Sequence, residues 1–261
     1  MMQTTTDTIL PLRLQDVSYQ VGRMRLIKDM NLTLEAGPRT AIVGPNGAGK
    51  SLLLRLCHGL LKPTAGTISW QITDSREAGS AQAMVFQRPV MLRRSAAANV
   101  DYALKLRGMD RDERQERIDE MLGRAGLRRL AGQPARVLSF GEQQRLALAR
   151  AWALRPQVLF MDEATASLDP AATHSVEEMI HAIHAEGTRI VLTTHDLGQA
   201  RRLSDEVIFM HRGRMLEHAP TEKFFEAPEN DLAQAFVKGE LLWWKRRELD
   251  TEPRHQPRFR R

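Results

Sequence analysis

Residues 40–57 read TAIVGPNGAGKSLLLRLC. A short apolar run, Thr40–Val43, passes through a glycine-rich turn into Lys50-Ser51 and then into a leucine-rich stretch with helical spacing. The turn Gly44-Pro45-Asn46-Gly47-Ala48-Gly49-Lys50-Ser51 fits G-x-x-x-x-G-K-[ST], and it sits in the strand–loop–helix context that gives this pattern its meaning. Glycines let successive backbone N–H groups turn toward one centre, and the helix N-terminus adds partial positive charge, so such a loop suits phosphate. Lys50 is then expected to reach the β- and γ-phosphates and the Ser51 hydroxyl to bind Mg²⁺. Leu52 has only its backbone N–H to offer.

A second apolar run, Val158–Met161, ends in Asp162-Glu163. In an open α/β sheet ligands bind at the carboxyl ends of strands, where this run delivers its two carboxylates. Asp162 is expected to hold Mg²⁺ through water, as a hard oxygen ligand. Glu163 is placed to orient or deprotonate an attacking water. These two segments alone suit a kinase, a GTPase or a helicase equally, and the carboxylates could also simply cap the next segment.

Further short runs read as strands near Leu12–Tyr19, Asn31–Glu35, Arg39–Val43, Ala83–Phe86, Arg189–Thr193 and Glu206–Met210. Helical spacing appears near Lys50–Leu61, Ser95–Arg107, Arg111–Arg124, Glu142–Leu154, Ala171–Glu186 and Leu197–Leu203. Strands alternating with helices make the class α/β, and the short continuous apolar strands predict a parallel sheet covered on both faces. Between Phe86 and Val158 no strand is legible, so that region reads as a helical insertion into the core.

Composition bounds the class. The chain has 261 residues, 42% hydrophobic and 27% charged, which excludes disordered, collagen-like and disulfide-scaffold proteins. The one cysteine, Cys57, lies in an apolar stretch and reads as a buried core thiol. No stretch approaches the roughly 20 apolar residues of a membrane span, and the N-terminus has no secretory pattern, so any membrane role needs docking from the cytoplasm. Of the net charge of +6, the tail from Lys245 carries seven Lys/Arg against three acids, +4, leaving +2 on the body. The apolar patch Leu241-Leu242-Trp243-Trp244 reads as a docking turn, and the basic tail after it is expected to be partly disordered. His174, His181 and His184 share one helical stripe, but surface histidines explain them without a metal.

Leu138-Ser139-Phe140-Gly141-Glu142-Gln143-Gln144-Arg145 resembles the L-S-G-G-Q signature of the ATP-binding cassette (ABC) ATPases. The resemblance runs from about residue 12 to 240. Tyr19 is similar to the aromatic that stacks on adenine in this family, Gln87 to the glutamine linking the Mg²⁺ site to the helical subdomain, and Ser167-Leu168-Asp169 to the loop crossing the dimer interface. His195 is similar to the histidine that contacts γ-phosphate and helps hold Glu163. Taken singly, Tyr19 reads as a strand aromatic, Gln87 as a surface amide and His195 as a helix cap. Two positions depart from the signature: Phe140 replaces a glycine, and Glu142 the usual glutamine.

The resemblance implies an α/β fold, a P-loop NTPase core with a mixed, largely parallel sheet and an inserted ABC-type helical subdomain at about 88–155. It implies one ABC ATPase domain over 1–240, with ATP and Mg²⁺ as cofactors. The implied catalytic residues are Glu163, His195 and Gln87. The implied nucleotide contacts are Tyr19, the loop Gly44, Pro45, Asn46, Gly47, Ala48, Gly49, Lys50, Ser51 and Leu52, and Ser139, Gly141 and Asp169 from across a homodimer. The implied metal site is Ser51, Gln87 and Asp162. Partners would be a second copy of the cassette, transmembrane permease subunits and, indirectly, an extracytoplasmic solute-binding protein, at the cytoplasmic face of the inner membrane.

Gln87 to Ser139 spans 52 residues, similar to a transporter cassette and too short for the coiled-coil insertion of chromosome-maintenance relatives. No stretch interleaves basic and aromatic residues as a single-strand binder would, so nucleic acid is not an expected partner. The run Gln87–Val100 and the segment Phe236–Leu241 resemble tungstate importer ATPases, with phosphate, molybdate and amino-acid importers as alternatives. The chain also stops short of the regulatory domain that some molybdate and sugar importer ATPases carry, so ligand control at that position is not expected. A soluble cassette acting on nucleic acid is the rival class.

Overall fold

A computed structural model describes residues 8–240, residue 73 excepted. The apolar patch at 241–244 and the basic tail lie outside the described residues. The chain opens on β1 (Leu12–Val21) and β2 (Met24–Leu34), an antiparallel hairpin joined by β4 (Ala65–Ser69) in a three-stranded sheet of order β2-β1-β4. The second sheet has six strands: β3 (Thr40–Val43), β5 (Gln82–Val85), β6 (Val158–Asp162), β7 (Arg189–Thr193), β8 (Glu206–His211) and β9 (Arg214–Pro220). Their order is β5-β6-β7-β3-β8-β9, parallel throughout except for the antiparallel β8–β9 pair. The sheet is therefore mixed and largely parallel, as the resemblance implies.

Alternation within the central strands feeds two cores. Ile42, Phe160, Val191 and Ile208 face a core shared with the three-stranded sheet and α1 (Lys50–Cys57). Ala41, Val43, Leu159, Met161, Ile190, Leu192 and Phe209 face the helical side. Burial on both faces is why these strands read as unbroken apolar runs. Cys57 is buried in the first core, and desolvation pushes its thiol up to about 12, which keeps it protonated and inert.

Between β5 and β6 lie α3 (Ala96–Leu106), α4 (Arg111–Arg124), two short 3-10 turns at Arg128–Leu130 and Ala135–Val137, and α5 (Phe140–Ala153). Pairing here is limited to one isolated bridge, Ser95 to Pro134. The helix α6 (Pro170–Ala185) joins β6 to β7, and α7 (Leu197–Leu203) joins β7 to β8.

Several boundaries differ from expectation, each for a local reason. The helix predicted to Leu61 stops at Cys57, where His58 caps it and Gly59 turns at φ 83°. The helix predicted from Glu142 starts at Phe140, because Ser139 and Glu142 form a capping box. The strand predicted at Asn31–Glu35 begins seven residues earlier, paired along most of β1. Unforeseen were β4, β9, α2 (Ser75–Ser80), α8 (Thr221–Glu226) and α9 (Asp231–Val237). Both strands are edges with weak apolar alternation, β9 ending on Pro220, and the helices are too short to show a period. Among the described residues no helix is long and apolar enough to cross a membrane.

Candidate functional site

The parallel strands β3, β6 and β7 end together, and their carboxyl ends present the polar residues. Register places Val85 of β5 beside Met161 of β6, and Asp162 beside Thr193 of β7. Gln87, Asp162-Glu163, Thr194-His195 and the loop from Gly44 thus leave the sheet on one edge. The loop Gly44–Gly49 turns directly from β3 into α1, whose N-cap is Gly49 at φ 101°. Gly44 sits at φ 146°, and a Cβ there would overlap the carbonyl oxygen of Met210. Only glycine permits that approach of loop to strand.

Lys50 is 5% exposed and folds back over the loop, its Nζ donating to the Gly44 carbonyl at 2.9 Å. Its Nζ also lies 3.7 Å from Glu163 Oε1. Burial pushes the Lys50 ammonium below its ordinary value, against the pull of Glu163 and Asp162. The loop and the carboxylates thus form one electrostatic unit, with a cation placed to meet an incoming polyanion.

The Ser51 hydroxyl donates to Asp162 Oδ1 at 2.7 Å, and the Thr193 hydroxyl donates to the same oxygen at 3.0 Å. Asp162 Oδ2 faces the Arg55 guanidinium at 3.8 Å. A hydroxyl and a buried carboxylate, two hard oxygen donors brought together at a strand end, suit a divalent cation such as Mg²⁺. Gln87 is exposed on the neighbouring strand end, and the segment before it is tied to α5 by Gln144, whose Nε2 donates to the Phe86 carbonyl at 3.3 Å.

Glu163 occupies the left-handed region at φ 45°, held by its N–H donating to Thr193 Oγ1 at 3.0 Å. A non-glycine residue there is strained, and the strain turns its carboxylate off the strand line. Its Oε2 meets His195 Nδ1 at 3.3 Å. His195 is not the cap of α7; Asp196 is, accepting from the Gln199 N–H at 3.0 Å.

Tyr19 is half-buried in β1 opposite Ile27, and Ile27 Cδ1 would lie 2.8 Å from a Cβ on Gly49. The register therefore sets Tyr19 on the strand pair that closes over the loop. Ser139, Gly141 and Asp169 gather elsewhere, around a hollow of about 390 Å³ also lined by Phe140, Glu142 and Ser167. Among the described residues no hydrogen bond or ion pair joins them to the phosphate loop. Ser139 caps α5: its N–H and hydroxyl both donate to Glu142 Oε2 at 2.8 Å, while the Glu142 N–H donates to its Oγ at 3.3 Å. These bonds hold the Glu142 carboxyl below its ordinary value, the Ser139 N–H contributing most. Asp169 caps α6 through the Ala172 N–H at 2.8 Å.

The residues missed by sequence reasoning are those that orient others. Thr193 anchors both Asp162 and the Glu163 backbone, and its signal was a hydroxyl closing the apolar run Ile190–Leu192. Arg55 and Gln144 gave no signal, because their roles depend on which strands are neighbours. The histidine stripe separates in the fold: His181 meets Arg39 at 3.0 Å, His184 the Thr188 carbonyl at 3.1 Å, and His174 Glu178 at 3.5 Å.

Comparison with known proteins follows the same lines. The family model described as ABC transporter matches residues 27–166. A tungstate uptake system ATP-binding protein of Peptoclostridium acidaminophilum is 37% identical over 209 residues, 80% of this chain and 98% of that protein. A phosphate import ATP-binding protein of Mycoplasmoides gallisepticum is 35% identical over 252 residues, 90% of this chain and 77% of the relative. A methionine import ATP-binding protein of Corynebacterium diphtheriae is 37% identical, and the match spans 81% of this chain but 65% of that longer protein. Among solved structures, cbiO1 of Clostridium perfringens, part of the ABC transporter complex cbiONQ, superposes with a TM-score of 0.75 at 29% identity, covering 85% of this chain and 93% of that one. An ATP-binding subunit of an ABC transporter gives a TM-score of 0.77 at 26% identity, covering 88% and 99%.

Proposed function

The chain belongs to the ABC transporter ATPases, and from that premise we propose that it powers import of a small anion, tungstate first, through separate membrane subunits. The observation that carries the reading is the convergence of Lys50, Ser51, Asp162, Glu163 and His195 on one sheet edge beside a phosphate-binding loop.

Each residue then has a task. The loop N–H groups and Lys50 hold the β- and γ-phosphates, and Tyr19 stacks on adenine. Ser51, Asp162 and Gln87 would hold Mg²⁺, which when bound offsets phosphate charge. Glu163 orients the attacking water and accepts its proton, and His195 holds Glu163 toward γ-phosphate. Ser139 and Gly141, which line a hollow that no residue of the loop lines, serve the nucleotide of a second copy, with Asp169 near the crossing. Such a site is complete only in a homodimer, so hydrolysis separates the copies. This assigns the described residues to a single domain through residue 240, with the helical insertion at about 88–155.

The permease face is taken to be the segment after Gln87, where the side chain of Val90 is 69% exposed. A subunit docked there would sit at the cytoplasmic face of the membrane, with the solute-binding protein reached only through the permease. Tungstate is supported by the relative matched over nearly its whole length. Phosphate, molybdate and methionine are the alternatives, since the transported solute would not touch this chain.

The test has two parts. Purified full-length chain should release phosphate from ATP, and Glu163→Gln should lower that rate by at least about 10²-fold while ATP binding persists. A variant hydrolysing at the wild-type rate would sink the assignment of Glu163. Cells lacking the chain should lose tungsten uptake alone, rescued by wild type and not by Glu163→Gln. A loss confined instead to phosphorus, molybdenum or methionine would name that solute.

A further inference from the structure

Behind the Glu163–His195 pair stands a second row of polar side chains that the mechanism above does not use. Glu177, on α6, is 7% exposed, and Gln199, on α7, is 4% exposed. Gln199 Nε2 donates to Glu177 Oε1 at 3.0 Å, and Gln199 Oε1 accepts the Thr165 hydroxyl at 2.9 Å. Arg202 closes on the same carboxylate with two bonds, at 3.1 and 2.8 Å.

The chemistry fixes the direction of this chain of bonds. An ionised carboxylate only accepts, so the amide nitrogen of Gln199 must face Glu177 and its oxygen must face Thr165. Glu177 is kept ionised: burial would raise its carboxyl, but the bonds from Arg202 and Gln199 outweigh burial and lower it. A buried carboxylate with one charge partner and one amide donor is satisfied, and it orients what it touches.

Two members of this row, Thr165 and Gln199, lie close in the chain to the two reacting side chains. Thr165 follows Glu163 by two residues in a tight turn, where the Ala166 N–H donates to the Glu163 carbonyl at 3.1 Å. Gln199 follows His195 by four, and its N–H is held at the start of α7 by the Asp196 cap at 3.0 Å. Glu163 itself holds a strained backbone angle, which persists only where surroundings impose it.

We propose that Gln199 is a positioning residue for the Glu163–His195 pair, its amide pinning the loop after Glu163 to the helix after His195. The proposal rests on the ATPase reading above. Gln199 touches neither reacting group, so its removal should change turnover and leave nucleotide capture alone.

The test uses full-length chain, with wild type and Glu163→Gln measured alongside. Gln199→Met keeps the length of the side chain and deletes both bonds, while Thr165→Val deletes the outer bond from the other end. Each should lower kcat about tenfold with KM for ATP within about twofold, and the double variant should lose little more than either single one. A merely structural role would lower the melting temperature and the active fraction without coupling the two sites in kcat. Unchanged kcat in both variants, or losses that multiply, would overturn this inference while the Glu163→Gln result keeps the functional reading intact. A wild type that does not hydrolyse ATP overturns both.

Discussion

Lys50 and Gly44 show how single residues shape the glycine loop proposed to hold phosphate. Lys50 is buried against the carbonyls of its own loop, so its charge is stored beside Glu163 rather than spread into solvent. Gly44 does its work by having no side chain: at φ 146° it lets the loop pass against the Met210 carbonyl. Gly44→Ala would add both backbone strain, about 1–3 kcal/mol, and a direct overlap. The expected outcome is loss of ATP binding by at least about tenfold in calorimetric titration, with a lower melting temperature. Wild-type affinity in that variant would mean that the loop can move away from β8. Ser139 and Asp169 carry a second lesson at this scale, since each caps a helix in the single chain and each is given a nucleotide contact only under the proposed pairing of two copies. The Ser139 hydroxyl donates to Glu142 here, so contact with phosphate requires it to exchange that partner.

At the scale of elements, the strands are bound at their amino ends by a buried polar group that their apolar runs conceal. Arg189 opens β7 at 2% exposure and donates through Nη2 to Thr40 Oγ1 and to Glu206 Oε1, both at 2.7 Å, tying β7, β3 and β8 together. His218 of β9 meets the other Glu206 oxygen at 3.0 Å. Burial would raise the Glu206 carboxyl, but hydrogen bonds from His218, Thr40 and Arg189 and the Arg189 charge hold it at about 2. A depressed carboxylate stabilises the fold fully above its unfolded value, near 4.5, and that contribution is lost as pH falls from there toward about 2. Glu206→Gln would leave the Arg189 charge buried without its ion pair, costing about 3–5 kcal/mol at neutral pH. Urea unfolding at pH 7, 4.5 and 3 should show wild type losing stability in the acid step more than the variant does. Parallel loss in the two proteins would assign the acid sensitivity to other carboxylates.

At the scale of the molecule, the phosphate loop and the Ser139–Gly141 corner lie at separate places in one chain, which is what a shared site between two copies requires. Ser139→Arg should block hydrolysis by filling the position of γ-phosphate on the partner. Mixed into wild type, it should reduce phosphate release by more than its share of the chains, because each mixed dimer is damaged. Strictly proportional loss would argue for sites complete within one chain. The class of the fold, the phosphate loop and the order of the motifs were legible in the residues alone, since each is a local pattern: an apolar strand, a glycine turn, a leucine-rich helix. The helix at Arg111–Arg124 was legible to the residue for the same reason, its Asp110 cap and its charge spacing both being local. The edge strands β4 and β9 were not, because an edge gains its partner from elsewhere in the chain and needs little apolar signal of its own. The sequence by itself determined the glycine loop that turns from β3 into α1 and the place of Lys50 and Ser51 at its end, because a loop and its helix are contiguous and their geometry follows from glycine and the helix N-terminus. Only the tertiary structure decided which side chains aim the carboxylates, Thr193 beside Asp162 and Gln199 beside Thr165, because strand order and helix packing join residues more than 30 positions apart that no spacing rule connects.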